Sequence, residues 1–193
     1  HLPVYEFDGG SRTSKPNISE NNDNALPPNE AISMHRMLSD HIISGNAVLP
    51  AAFYPAYIMG SDKRSVGLSN LAFLKMFSLS DPVKLNIKIK SSHTGKNKFE
   101  FISEENELYA IAEEAENSPL NEKKAVCPSD PAESVMDGAE HYRIMHSMGY
   151  GYGSSFRMIK SLAFRKGSVF AEFGNISENS FDGSVAVIDG VLQ

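Results

Sequence analysis

PAAFYPAYIM, residues 50–59, is apolar on nearly every side when wound at 3.6 residues per turn. A helix without a polar face must be surrounded by protein. What surrounds it is written further along the chain. In VKLNIKIK (residues 83–90), Val83, Leu85, Ile87 and Ile89 alternate with Lys84, Asn86, Lys88 and Lys90, a period of two with one face buried and one in water. KFEFIS and ELYAIAEE, separated by a polar turn around residues 104–106, predict an antiparallel hairpin. LSNLAFLKMFSL (residues 68–79) predicts a strand pair or one long bent strand. A sheet wrapped around one buried helix is the simplest architecture that satisfies both periodicities.

The later part of the chain repeats the theme in a different order. Asp130 as N-cap, Pro131 at the first helical position and Glu133 three residues after the cap predict a helix start. Val135, Ala139, Tyr142 and Met145 supply its apolar face, and Gly149 ends it. LAFRKGSVFAEF (residues 162–173) reads as a hairpin turning at Lys166 and Gly167, and SVAVI (residues 184–188) as a buried strand. The elements resemble a second module of the first type, cut short at Gln193.

Two breaks divide these parts. Residues 8–30 hold almost no large apolar side chain and are dense in Asn, Ser, Pro and Gly, a linker composition. LPVYEF (residues 2–7) before it carries apolar residues able to dock on a folded neighbour. SPLNEKKAVCPSDP (residues 118–131) is the second break. The expected organisation is a leading segment and flexible linker over 1–30, a first module over 31–118, a linker over 119–134 and the first part of a second module over 135–193.

Eighteen Lys and Arg against 24 Asp and Glu leave a net charge of -6, with no basic stripe to neutralise a series of phosphates, so nucleic acid is not an expected partner. The single cysteine, Cys127, makes no internal disulfide and has no Cys or His at zinc spacing, so no metal is expected and a reducing cytoplasmic setting fits. Asn17 and Asn175 are then chance glycosylation sequons. The longest apolar run, residues 51–59, is far short of the roughly 20 residues that cross a bilayer, and no export signal opens the chain. A membrane is not an expected partner either. His1 in place of Met points to a piece of a longer polypeptide.

Three segments carry candidate chemistry. In DHIISGNAVLP (residues 40–50), His41 is either a capped turn residue or a base. Gly45 permits a tight turn and Pro50 is preset for the first turn of the buried helix, whose N-terminal N–H groups would favour developing negative charge. GYGYGSSF (residues 149–156) has alternate glycines, but it follows a predicted helix, whereas a dinucleotide fingerprint follows a strand. A glycine-rich turn with Tyr150, Tyr152 and Phe156 packed on a core is the leading reading. In IDGVLQ (residues 188–193), Asp189 is either a helix cap or an acid, and a helix begun there brings Gln193 one turn later onto the same face.

Taken together, the three segments resemble the dehydratase domains of modular polyketide synthases, relatives of the fatty acid synthase dehydratases. That family carries H-x-x-x-G-x-x-x-x-P, G-x-x-Y-G-P-x-F and D-x-x-x-Q or D-x-x-x-H in this order. Here they stand as His41, Gly45 and Pro50; Gly149, Tyr152, Gly153 and Phe156; and Asp189 with Gln193. LPVYEF is similar to the segment that leads into such domains. Two departures stand out: Ser154 replaces the proline of the second motif, and Pro55 falls within the first central helix, where it should kink or delay it.

The resemblance implies an α+β double hotdog, two curved antiparallel sheets each wrapped around a central helix, with the second hotdog incomplete and its central helix expected beyond Gln193. It implies loss of water from a 3-hydroxyacyl thioester to give the 2,3-unsaturated thioester, with His41 as base and Asp189 as acid. Gln193 would orient the carboxyl, Tyr152 would face the leaving hydroxyl, Gly45 or its neighbours would offer an N–H to the thioester carbonyl, and Pro50, Gly153 and Phe156 would shape the site. No metal or redox cofactor is expected, since elimination changes no overall oxidation state. The substrate would arrive on the phosphopantetheine arm of an acyl carrier protein, which Lys160, Arg165 and Lys166 could meet, with neighbouring synthase domains as further partners and room for a homodimer. The same resemblance admits a pyran-forming, cyclising or double-bond-shifting relative, or a non-catalytic module that binds acyl carriers. Double-bond-shifting relatives typically lack the acid, so Asp189 argues against that variant.

Overall fold

The computed structural model describes residues 28–61, 67–80, 84–91, 95–115, 131–174 and 180–193. The linker read over residues 1–30 lies outside that set up to position 27, as do LPVYEF, Cys127, Asp130, Asn17, Asn175 and Val83. A short helix α1 (Pro28–Met34) and a 3-10 turn (Arg36–Asp40) lead into a two-stranded hairpin of β1 (Ile42–Ile43) and β2 (Asn46–Ala47).

The buried helix is α2 (Phe53–Ser61), and every side chain from Ala52 to Ile58 is buried. It starts three residues after Pro50, because Phe53 N–H bonds the Pro50 carbonyl (2.9 Å) and Tyr54 N–H that of Ala51 (3.3 Å) in a tight leading turn. Pro55 therefore falls in the first turn of the helix, where a missing N–H leaves no broken bond. The proline delays the helix and no kink is needed.

Around α2 lies a four-stranded antiparallel sheet in the order β3-β6-β5-β4, with β3 (Leu68–Phe73), β4 (Leu85–Ser91), β5 (Asn97–Ser103) and β6 (Leu108–Glu114). The expected hairpin is β5-β6. Register shifts between Ser69 and Ala72, beside left-handed Asn70 (φ 51°), and between Phe101 and Ile102 bend the sheet. The fully buried ring of Phe101 then meets Tyr54 edge-on at 4.8 Å. The apolar face of β4 is buried at Leu85, half-buried at Ile87 and exposed at Ile89, since β4 is the sheet's edge. Residues 68–79 form neither a strand pair nor one long strand. Only β3 pairs along its length, and the chain then turns so that Phe77 packs on Tyr109 (5.2 Å) and its carbonyl accepts from Leu49 N–H (2.8 Å).

The second part holds β7 (Ser134–Asp137), α3 (Gly138–Ser147), β8 (Ile159–Arg165), β9 (Ser168–Phe173) and α4 (Phe181–Leu192), with a three-stranded antiparallel sheet β7-β8-β9. The hairpin turning at Lys166 and Gly167 is as expected. Two expectations are corrected. The α3 cap is Asp137, whose carboxylate accepts from Ala139 N–H at 2.7 Å, and the residues before it pair with β8 as a strand. A Cβ at Gly138 would collide with the carbonyl of Ile159, so the helix start can sit on β8 only as glycine.

SVAVI is the second correction: it lies inside helix α4. Ser180 caps that helix by accepting from Gly183 N–H (3.0 Å), and the buried residues Val185, Ala186 and Asp189 recur at helical spacing. The Phe173 ring of β9 leaves a Cβ no room at Gly190, so the helix packs there as glycine. Helix α4 lies beside α2, with Phe181 edge-on to Phe53 at 5.7 Å. The central helix expected beyond Gln193 is thus α4 itself. The architecture is α+β: among the described residues, two larger antiparallel sheets, each with its own helix, the two helices packed together, and the small β1-β2 hairpin beside them.

Candidate active site

His41 ends the 3-10 turn, its N–H bonded to the Leu38 carbonyl at 3.2 Å. The β1-β2 hairpin then reverses through Ser44 (φ 50°) and Gly45 (φ 82°). Two successive left-handed residues make a type I′ turn, whose twist matches the strands it joins. The register places Val48 against His41, so Val48 N–H bonds the His41 carbonyl (3.0 Å) and the Val48 carbonyl lies 3.0 Å from Nδ1 of the imidazole. A carbonyl only accepts, so Nδ1 carries the proton and Nε2 keeps its lone pair.

That lone pair points at Asp189. Nε2 lies 3.6 Å from Asp189 Oδ1, and both residues are about 95% buried (5% and 4% exposed). Asp189 sits in the last turns of α4, and its Oδ2 accepts from the Gln193 amide at 2.8 Å. The expected Asp189–Gln193 pair is therefore present, but both residues end a helix and neither starts one. Burial holds the His41 imidazole below its ordinary pKa, against the pull of the Asp189 charge and the Val48 carbonyl. It pushes the Asp189 carboxyl above its ordinary range, against the Gln193 bond and the His41 charge. Desolvation thus drives both groups toward neutral forms.

The glycine-rich segment is a seam. Gly149 carbonyl accepts from Ser44 N–H, Gly151 N–H bonds the Ile42 carbonyl and Gly153 N–H bonds the Asp40 carbonyl, each at 2.7 Å. Alternate glycines thus face alternate residues of the histidine segment. A Cβ at Gly153 would collide with the Asp40 side chain, and one at Gly151 would press on Ile42 at 3.3 Å. The residues between them point the other way, as in any strand. Tyr152 is 6% exposed and Phe156 fully buried, their rings 5.4 and 5.3 Å from that of His41. Ser155 then clamps Asp40 Oδ2 through its N–H (3.1 Å) and hydroxyl (2.7 Å). Ser154, where the resembled family has proline, opens a single 3-10 turn (Ser154–Phe156).

The structure brings His41, Asp189, Gln193, Tyr152 and Phe156 together. Gly153 serves through the seam, and Pro50 is fully buried before α2. Gly45 stands apart, exposed at the tip of its hairpin, where its conformation is what counts. The N–H groups of Phe53 and Tyr54 are engaged within the leading turn of α2, so they are not open donors for an oxyanion. Sequence reasoning missed Asp40, Val48 and Tyr142. The Tyr142 hydroxyl donates to the Phe156 carbonyl (3.2 Å) and accepts from Ile159 N–H (3.0 Å), which ties α3 to the site's floor. Tyr142 also lines a cleft of about 730 Å³ with Asp137, Arg143, His146, Arg157 and Lys160. Arg165 instead lies over the Phe170 ring at 5.6 Å, and Lys166 is in the exposed β8-β9 turn. Among the described residues no three His, Cys, Asp or Glu side chains gather as a metal would need, and no helix is long and apolar enough to cross a membrane.

Neither a family model nor a curated protein matches the chain. Solved structures do. A trans-AT polyketide synthase dehydratase domain from Brevibacillus brevis is 21% identical at a TM-score of 0.63, over 82% of this chain and 65% of that one. The dehydratase domain from the CurF module of the curacin polyketide synthase is 20% identical at 0.62, over 81% and 64%. The PpsC dehydratase domain of Mycobacterium tuberculosis, solved with C12:1-CoA, is 17% identical at 0.63, over 81% and 61%. The chain thus spans 61–65% of the length of these solved domains. Its fold is that of the polyketide synthase dehydratase domains, a double hotdog.

Proposed function

We propose that this chain dehydrates a 3-hydroxyacyl thioester held on the phosphopantetheine arm of an acyl carrier protein, giving the 2,3-unsaturated thioester during polyketide assembly. The observation that carries the reading is the buried pair itself: an imidazole whose free Nε2 lies 3.6 Å from a carboxyl oxygen supplied by the other half of the molecule. His41 Nε2 takes the C2 proton, the C2–H electrons form the C2–C3 double bond, and the C3–O bond breaks. Asp189 protonates the departing hydroxyl, so one water leaves. A neutral base and a protonated acid are the forms that burial favours in each. The proton gained by His41 is stabilised through Nδ1–H on the Val48 carbonyl, and the charge left on Asp189 by the Gln193 amide.

The reaction moves no electrons between substrate and an external acceptor, so acid and base suffice and no further cofactor is invoked. Each proton transfer contributes about 10² to 10⁴-fold. Arg143, Arg157 and Lys160 in the cleft beside Tyr142 suit an anionic carrier arm, although Arg143 also bonds Glu140 and Arg157 the Tyr152 carbonyl. Neighbouring synthase domains, a homodimer and a cytoplasmic setting belong to the same reading.

The test offers a carrier-bound 3-hydroxyacyl chain to the protein and follows the acyl mass. Wild type should lose one water, and His41→Ala and Asp189→Asn should each lose nearly all turnover. Retained turnover in either variant refutes the dyad. An unchanged acyl chain on a carrier that still binds would favour the non-catalytic module.

A further inference from the structure

The mechanism leaves a buried imidazole unused. His141, on α3, is 8% exposed, and its Nε2 is buried with no hydrogen-bond partner among the described residues. The amide oxygen of Gln193 is also buried without one. The two side chains are held around one carbonyl: the Gln193 amide donates to that of Phe156 (3.3 Å), and so does the hydroxyl of Tyr142 (3.2 Å), which follows His141 on α3 with its ring 4.9 Å from the imidazole. The Gln193 amide also favours the protonated imidazole, against the effect of burial. They are also complementary: an imidazole N–H can donate, and an amide oxygen can only accept. The other end of the amide is fully used, with Nε2 of Gln193 on Asp189 Oδ2 (2.8 Å) and on the Phe156 carbonyl (3.3 Å). We propose that His141 is a positioning residue for Asp189: a small turn of its side chain brings Nε2–H onto the orphaned Gln193 amide oxygen and fixes the amide with its nitrogen toward the acid.

The orientation matters because an amide can face a carboxyl either way round. A protonated Asp189 could donate to the amide oxygen, but the carboxylate left after proton donation accepts only from the nitrogen. Locking the nitrogen inward favours that carboxylate and makes Asp189 the stronger acid. Burial keeps the His141 imidazole below its ordinary pKa, hence neutral with a single N–H to commit.

The effect on turnover rests on the dehydratase reading, whereas the hydrogen bond does not, so the test reads both. Nitrogen-15 NMR of the full chain should show His141 protonated on Nε2, with that resonance shifted by Gln193→Ala. A proton on Nδ1 alone overturns the proposal. Carbon-13 titration of the Asp189 carboxyl should move to higher pH in His141→Phe and in Gln193→Ala, with no further movement when the two are combined. His141→Gln, which keeps a donor, should bring the midpoint back toward wild type. Independent, additive movements, or no rescue by His141→Gln, overturn it. Turnover of His141→Phe should fall about three- to tenfold at unchanged KM, the worth of one neutral hydrogen bond. A wild type that dehydrates nothing refutes the function, and the two NMR measurements still decide the positioning.

Discussion

His41 and Asp189 carry opposite pH signatures because one burial acts on a cation and an anion. The folded Asp189 keeps its proton after the unfolded chain has lost it, so stability falls as pH rises from the unfolded pKa of about 3.9 through the raised folded value. For His41 the unfolded chain takes the proton first, so stability falls as pH drops below about 6.5 toward the lowered folded value. Asp189→Asn should therefore be inactive yet melt higher than wild type at pH 7, with the gain gone at pH 3, as paired thermal melts would show. Turnover against pH should form a bell whose limbs belong to the pair jointly. A rate that rises monotonically across pH 5–9 would contradict a protonated acid. At this scale the sequence was informative about His41, Asp189 and Gln193, whose spacing within short segments is visible. It was silent about Val48 and Asp40, because their roles depend on a hairpin register and on a segment more than 100 residues away.

The same glycine residue type does two jobs in the elements, and substitution separates them. Gly45 has open space around its Cβ position but a left-handed φ of 82°. Gly45→Ala should cost about 1–2 kcal/mol by conformation alone, with Gly45→Asn closer to wild type, as urea midpoints would measure. Gly153→Ala meets Asp40 directly, so it should cost about 1–3 kcal/mol as overpacking and also lower turnover, because Asp40 adjoins His41 in the chain. Hairpins and the central helix α2 were legible from periodicity. SVAVI was not, since five apolar residues fit a buried strand or a buried helix equally. What decides it is the Ser180 cap upstream and the packing of Gly190 on Phe173. Asp137 overrode the earlier Asp130 cap for a related reason: residues 134–137 had a strand, β8, to pair with.

Across the described residues, the two halves are bound by the α2-α4 contact, the glycine seam, the His41–Asp189 pair and His35, which meets Asp182 and the Phe181 ring. Phe53, fully buried and edge-on to Phe181, sits in the first. Phe53→Ala should cost about 3–5 kcal/mol. Both halves should unfold in one shifted transition, followed by circular dichroism and tyrosine emission because the chain has no tryptophan. Two separated transitions would show that these contacts do not couple the halves. The two-sheet plan was legible in the sequence, but this coupling was not, since no local period reports which helix lies against which. The histidine–aspartate pair has one more consequence, in time. Its members are roughly 150 residues apart, so a ribosome adding about 5–20 residues per second makes His41 some 7–30 seconds before Asp189. During that interval the nascent chain displays a histidine with no counterpart. On the proposed reading, no turnover can precede the synthesis of α4.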